Sequence, residues 1–385
     1  MKVVHWAKFY PPEWGGVERV TADLAAGTAQ AGIETTVVAF ARDAELPREE
    51  LQGGVRVIRN PMTFNPANQP ISLRWIADCV RHSWNADAIV VHVPNLLVAI
   101  PLLIIALARL IGAGPRTRVL LWHSDILDKG ALGMILHPLE HLVALLSTVI
   151  VATSPPYAAA SPVLRRHSGK VAIVPLGIDP PPASATIPPV PKKLARRLDG
   201  RPFTLSIGRL VPYKGFDDLI RASSQINARA VCVIVGTGPE EQRLRALADE
   251  EGVADRIVFY GSSPADELDA LFRNAAMYVL PSRRRSEAFG VVLIEALSYG
   301  LPIVACHIEG TGVPWVARDG DTAIVVAPDD PAALAGAIGV LLSDQESEAR
   351  LGAAGKADFE RRFTREAMVR AYNAMLLGGD AARPG

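Results

Sequence analysis

The sequence predicts an α/β protein built from two doubly wound domains, each a parallel sheet with helices on both faces. Three observations carry this expectation. Short, uninterrupted β-branched runs alternate with longer amphipathic stretches, the pattern of parallel strands buried on both sides. The alternation breaks once, at Pro175–Pro191, where seven of seventeen residues are proline. The length of 385 residues corresponds to two or three domains at about 150 residues each.

The elements follow in order. Val3–Val4 opens the first strand, and a Pro/Gly loop leads to a helix over Val17–Ala31 that Gly32 stops. Thr35–Phe40, Ala88–His92, Val119–His123, Thr148–Thr153 and Val171–Pro175 supply further strands. Between two of them lies Leu96–Ala108, thirteen apolar residues bounded by Asn95 and Arg109. Crossing a bilayer takes about 20, so the run reads as a buried helix, with contact to a membrane surface as the alternative. Proline fixes φ and lacks an amide donor, so the proline-rich stretch is read as a semi-rigid linker, extended to 179–200. A second series begins at Phe203–Gly208 and continues through Ala230–Val235, Ile257–Tyr260, Met277–Leu280, Ile303–Ala305 and Ala323–Val326. The domains expected are therefore 1–178 and 201–364, followed by a last helix and tail over 365–385.

Composition excludes several classes of function. Lys plus Arg and Asp plus Glu both number 40, and each half is close to neutral, which disfavours a general nucleic-acid binder. Apolar residues at 49% and charged residues at 21% are globular values. Cys79, Cys232 and Cys306 lie far apart without a CxxC pair, so neither a disulfide scaffold nor a structural zinc site is expected, and a reducing compartment fits. The N-terminal MKVVHWAKFY has neither the apolar core nor the cleavage site of a signal peptide.

Chemistry concentrates at strand ends, where open α/β sheets bind ligands. In PSRRRSEAFGVVLIEALSYG, the arginines Arg283, Arg284 and Arg285 precede Glu287, and a helix is expected over Phe289–Tyr299. The amides of Ala288, Phe289 and Gly290 would open that helix and favour an anion. Glu287 would lie beside the anion and Glu295 two turns inside. Two carboxylates around such a site suit a ligand carrying phosphate and hydroxyls, but a helix cap and a solvated face residue fit them equally. In GRLVPYKG (208–215), Arg209 and Lys214 can converge on one diphosphate and stabilise a leaving nucleotide; an ordinary basic turn is the alternative. Gly236-Thr237-Gly238-Pro239 follows a strand, and Gly15 and Gly16 precede the first helix. Either pair could admit phosphate close to backbone, or simply make a turn. His123 ends a strand, His92 is placed similarly, and His5 reads as structural. Asp319-Gly320-Asp321 matches a metal-binding DxD pattern but also common turn chemistry, and no catalytic metal is expected.

Together these motifs resemble the retaining glycosyltransferases of family 4, which have the GT-B fold, over essentially the whole chain. The Glu287/Glu295 pair around AFG, the GRLVPYKG stretch and the GTGP loop carry the resemblance. WHSDILDK (122–129), TSPPY (153–157), VPLGI (174–178) and RSEAFG (285–290) are similar to bacterial mannosyl- and rhamnosyltransferases of exopolysaccharide and O-antigen assembly.

The resemblance implies two Rossmann-like domains facing across a cleft, with an acceptor domain at 1–178, a nucleotide-sugar domain at 201–364 and a last helix crossing back to the first domain. It implies that Arg209 and Lys214 hold the donor diphosphate, Glu287 the sugar hydroxyls and Glu295 the ribose. The amides of Ala288, Phe289 and Gly290 would hold sugar and phosphate, Gly15 and Gly16 would approach the diphosphate, and Gly236 and Gly238 would border the base. His123 would sit at the reacting sugar, through its carbonyl or its ring. The implied reaction is metal-independent transfer of a hexosyl group, α-mannosyl from GDP-mannose, to a polyprenyl-diphosphate-linked saccharide. It would take place in the cytoplasm, with peripheral contact to the inner membrane. Residues 64–73 and 126–139 are expected at the acceptor. A UDP-sugar donor with another acceptor, or a sugar-nucleotide-binding protein without turnover, are the competing readings.

Overall fold

The computed structural model describes residues 1–378 except 14, 44, 66–68, 126–129, 185 and 227–229, with the side chains of 96 and 130–136 also outside the description. The chain divides into two compact units, Met1–Leu176 with Arg365–Gly385, and Gly177–Thr364.

In the first unit β1 (Lys2–Trp6), α1 (Gly16–Gln30), β2 (Glu34–Ala41), β3 (Glu49–Gln52), β4 (Val55–Pro61) and α2 (Leu73–Ser83) come first. They are followed by β5 (Ala88–Val93), α3 (Ala99–Ala108), β6 (Thr117–Trp122), α4 (Gly130–Leu146), β7 (Val149–Ala152), α5 (Pro155–Ala160), α6 (Pro162–Arg166) and β8 (Val171–Ile173). The sheet runs β3-β4-β2-β1-β5-β6-β7-β8, parallel except for the edge strand β3. Strands β3 and β4 are additions to the sequence expectation. Glu49, Leu51 and Gln52 are solvent-exposed on an edge, so β3 lacks the apolar run that marks the inner strands.

The apolar run at 96–108 is only half what the sequence suggests. Ala99, Pro101, Leu102, Ile105 and Ala108 are buried, whereas Ile100, Leu103, Ile104 and Leu107 are exposed. The helix is apolar all round, so composition could not reveal which face was uncovered.

In the second unit α7 (Lys192–Leu198) leads to β9 (Phe203–Ile207), α8 (Phe216–Gln225), β10 (Val231–Val235), α9 (Glu241–Glu250), β11 (Ile257–Gly261) and α10 (Ala265–Asn274). Then come β12 (Met277–Leu280), α11 (Val291–Ser298), β13 (Ile303–Cys306), α12 (Val313–Val316), β14 (Ala323–Val326), α13 (Pro331–Ser343) and α14 (Gln345–Arg362). Helix α7 falls inside the stretch read as linker, because Leu194 and Leu198, four residues apart, are both buried. The six strands are parallel in the order β11-β10-β9-β12-β13-β14. The order reverses between β9 and β12, so the crevice outside their carboxyl ends is the binding position of this topology.

The last helix, α15 (Arg365–Leu376), belongs to the first unit. Its Met368, Tyr372, Met375 and Leu376 join Leu24, Val90 and Val119 in one apolar cluster. Thr28 Oγ1 of α1 lies 2.7 Å from Leu24 O and 3.0 Å from Asn373 Oδ1.

Candidate active site

Three loops of the second unit meet at the switch point. They follow β9 (208–215), β10 (236–240) and β12 (281–290). Backbone hydrogen bonds stitch them together: Gly208 N donates to Val235 O (2.9 Å), Leu210 N to Thr237 O (3.0 Å), Glu240 N to Leu210 O (3.1 Å) and Arg283 N to Tyr213 O (3.0 Å). The loops approach so closely that a Cβ on Gly215 would lie 2.0 Å from Pro281 O, and one on Gly236 2.0 Å from Gly208 O. Both glycines also have positive φ, 68° and 135°.

This packing buries an ion pair. Lys214 Nζ donates to Glu287 Oε2 at 2.6 Å, and each side chain is only 11% exposed. Ser282 Oγ donates to the same oxygen at 3.0 Å. The Lys214 stem lies beneath Gly208, whose added Cβ would stand 3.0 Å from Cε. Arg209, from the same loop, is exposed and has no ionic partner among the described residues. One cation is thus held and compensated, and the other is free to meet an anion. Glu295 lies within α11, half-buried. Gly236 and Gly238 shape the neighbouring loop, with an added Cβ on Gly238 falling 2.3 Å from Leu210 O.

The helix after Glu287 begins later than its sequence suggested. Gly290, in the left-handed region at φ 79°, caps α11, which starts at Val291 rather than Phe289. The amides of Ala288, Phe289 and Gly290 therefore belong to the bent segment leading into the helix. The segment is anchored by Phe289, which is buried against Trp315 and Phe363, and by Gly312 N, which donates to Ala288 O at 2.7 Å.

The arginine run is partly structural. Arg283 reaches Asp217 (3.1 Å), Asp218 (3.0 Å) and Asp329 (3.2 Å), fastening the loop to α8, and Arg284 lies 3.6 Å from Asp329. Burial, with Asp217 alongside, raises the Asp218 carboxyl above its ordinary range despite Arg283. Asp319-Gly320-Asp321 is a turn whose carboxylates are engaged, Asp319 by the Val325 amide (2.9 Å) and Asp321 by Arg318 (2.6 Å).

In the first unit Gly15 caps α1 in extended conformation, and Gly16 is its first residue. A Cβ on Gly15 would fall 2.2 Å from the Glu18 carboxylate, which covers that helix end. His123 follows β6 and is half-buried. Its Nε2 lies 3.2 Å from His92 Nδ1, and His92 Nε2 lies 3.2 Å from His5 Nδ1. Burial holds His123 down to about 4 and His5 to about 3, and lowers His92 as well, so all three are neutral near pH 7. Asp125, two residues on, accepts from Trp122 Nε1 (2.9 Å) and Ser161 Oγ (2.6 Å), which fixes the turn. Of the expected acceptor segments, 66–68 and 126–129 lie outside the described residues, as do the side chains of 130–136.

Sequence reading missed Ser282, the Asp217/Asp218 clamp and the linkage of His5 to His92 and His123. No local motif marks these contacts. The histidines become neighbours only because β1, β5 and β6 are adjacent in the sheet.

Known proteins share this architecture. Residues 192–358 match the model of the glycosyl transferases group 1, and residues 15–177 match a glycosyl transferase 4-like domain. The O-antigen chain mannosyltransferase C of Escherichia coli is 32% identical over 376 residues, 97% of each chain. The D-rhamnosyltransferase WbpZ of Pseudomonas aeruginosa is 30% identical over 369 residues, 94% of this chain and 92% of its own. The crystal structure of Anabaena HepE in complex with UDP shares the fold with a TM-score of 0.76 at 20% identity, covering 98% of this chain and all of that one. With both halves matched and two relatives similar along nearly their whole length, the chain is a glycosyltransferase of the group 1 family, with the GT-B fold.

Proposed function

We propose that the protein transfers an α-mannosyl group from GDP-mannose to a polyprenyl-diphosphate-linked saccharide, with retention of configuration, in bacterial exopolysaccharide or O-antigen synthesis. The observation that carries this reading is the buried Lys214–Glu287 pair beside the free Arg209, on loops at the sheet's switch point. Similarity to an O-antigen mannosyltransferase along nearly the full length supports the sugar and the acceptor class.

Arg209 and Lys214 bind the donor diphosphate, Glu287 and the amides of Ala288–Gly290 hold the sugar and its phosphate, and Glu295 binds the ribose. The glycines Gly236 and Gly238 border the base. In the first unit His123 contacts the sugar, and Gly15 and Gly16 offer amides to phosphate once the Glu18 carboxylate beside Gly15 moves aside. The bond from C1 to the β-phosphate oxygen breaks as the acceptor hydroxyl oxygen bonds C1 on the same face. The acceptor's proton passes to the departing phosphate oxygen. Charge gathering on the nucleoside diphosphate is met by the unpaired Arg209, by Lys214 held in place by Glu287, and by the backbone amides, so the step is read as needing no metal.

A thermal-shift panel without metal tests the donor. GDP and GDP-mannose should raise the melting temperature, by the equivalent of about 2.7 kcal/mol at a hundred times Kd, and UDP, UDP-glucose and UDP-N-acetylglucosamine should not. Stabilisation by UDP species alone would transfer the assignment to a UDP-sugar. No response to any nucleotide would end the donor reading, and binding without nucleotide release on any acceptor would favour a non-catalytic binder.

A lipid-linked acceptor places the enzyme at the cytoplasmic face of the inner membrane. No described helix is long and apolar enough to cross a membrane. Support for surface contact comes from α3, where Ile100, Leu103, Ile104 and Leu107 continue into Leu110 and Ile111, which are 81% and 80% exposed. The stretch 88–176 carries seven Lys and Arg against three Asp and Glu, which suits anionic headgroups. The double change Leu107→Glu, Leu110→Glu should weaken binding to vesicles containing anionic phospholipid by about a hundredfold or more, read by co-sedimentation, since each buried leucine contributes about 1.5–3 kcal/mol. Equal sedimentation of the variant would remove this face from the membrane contact.

A further inference from the structure

The three neutral histidines of the first unit form a directed chain, and its direction is readable. Thr21 Oγ1 donates to Val17 O one helical turn back, at 2.8 Å. With its single proton in that bond, it accepts at 3.0 Å from His92 Nδ1. His92 must therefore carry its proton on Nδ1. That N–H also faces His123 Nε2 at 3.2 Å, so Nε2 of His123 is the unprotonated acceptor and its proton sits on Nδ1. On the other side, His92 Nε2 is a lone pair and accepts from His5 Nδ1–H at 3.2 Å. The far atom, His5 Nε2, is buried without a hydrogen-bond partner. In this arrangement it is an orphaned acceptor. The reverse arrangement would leave an orphaned buried N–H, the costlier of the two, and would also break the Thr21 bond to Val17.

We propose that Thr21 and His92 are positioning residues for the transfer reaction: they hold His123 as the neutral Nδ1–H tautomer, so that its Nδ1–H donates a hydrogen bond to an oxygen of the donor sugar. This rests on the reading above that His123 meets that sugar. Among the described residues His123 Nδ1 has no hydrogen-bond partner, which leaves its donor available. Rings stacked at 12° with centroids 5.5 Å apart keep His123 in register with His92. The device supplies a fixed donor without a charge, which would otherwise compete with the diphosphate's own cations.

The experiment uses the full chain labelled with 15N-histidine. Nitrogen spectra between pH 6 and 8 should show neutral His92 and His123, each protonated on Nδ1. A dominant Nε2–H form of His123 overturns the proposal. Thr21→Val removes the director and should mix the tautomers, lowering kcat by about tenfold at unchanged donor KM, while Thr21→Ser restores both. His123→Asn, whose amide nitrogen stands near the place of Nδ1, should retain more transfer than His123→Gln, whose amide extends towards Nε2. Unchanged tautomers and unchanged kcat in Thr21→Val also overturn the proposal. Failure of the proposed function would look different: the unaltered protein would transfer from no sugar nucleotide, while the nitrogen spectra would still report the chain's direction.

Discussion

Lys214→Ala is expected to cut transfer by about 10²–10³ and to lower stability at the same time, for separate reasons. On the proposed reading the functional loss follows from removing a cation that binds the departing diphosphate. A single preorganised donor at a charge-developing oxygen is worth about 10²–10³ in rate. The stability loss follows from burial. With Lys214 gone, Glu287 keeps only Ser282 Oγ at 3.0 Å, and a buried carboxylate stripped of its ion partner costs about 3–5 kcal/mol. Glu287→Gln should be milder for the fold, because the amide preserves the shape and its oxygen can still accept from Lys214 Nζ. It should still reduce transfer strongly if Glu287 holds the sugar hydroxyls. The double change Lys214→Met, Glu287→Leu separates the two effects. Two apolar groups of similar volume leave no buried charge, so the melting temperature should recover above that of either single variant while transfer stays low. Normal transfer by Lys214→Ala would remove the pair from the reaction, whatever its effect on melting.

What the chain shows of this candidate site is local. Arg209 and Lys214 lie five residues apart on one loop, and Glu287 and Glu295 flank one turn into one helix. Buried parallel strands announced themselves as unbroken apolar runs, and the six of the second unit could each be located. What could not be read depends on contacts between segments distant in sequence. Ser282 acts on Glu287 only because the loop folds back. Arg283, to which the sequence assigns no role, clamps Asp217 and Asp218, 66 and 65 residues away. The helix start shifted to Val291 because Gly290 adopts a left-handed conformation, which the composition of AFG does not dictate. The uncovered face of α3 was hidden by its own uniform hydrophobicity.

The glycines between the loops provide the second large effect. Gly236→Ala should destabilise the second unit and cut transfer by about 10², through backbone crowding alone. At φ 135° an L-residue is already strained, at about 1–3 kcal/mol. The added Cβ would in addition stand 2.0 Å from Gly208 O and 2.8 Å from Gly208 C, which are backbone atoms with no rotamer to yield. One loop must therefore move by more than an ångström. Gly208 and Gly236 each open one of the loops proposed to bind the donor, and a displacement of about 1 Å in a catalytic arrangement costs on the order of 10² in rate. Gly252→Ala supplies the comparison. Gly252 also has positive φ, 68°, but nothing lies within 4 Å of its added Cβ, so it incurs conformational strain without a clash. Its variant should melt slightly below the parent protein and transfer normally. The gap between the two variants then measures how tightly the 208–215 and 236–240 loops are locked. If Gly236→Ala melted with Gly252→Ala and transferred equally well, the loops would be free to separate, and the close packing of three strand-end loops could not be what holds Lys214 and Arg209 in place.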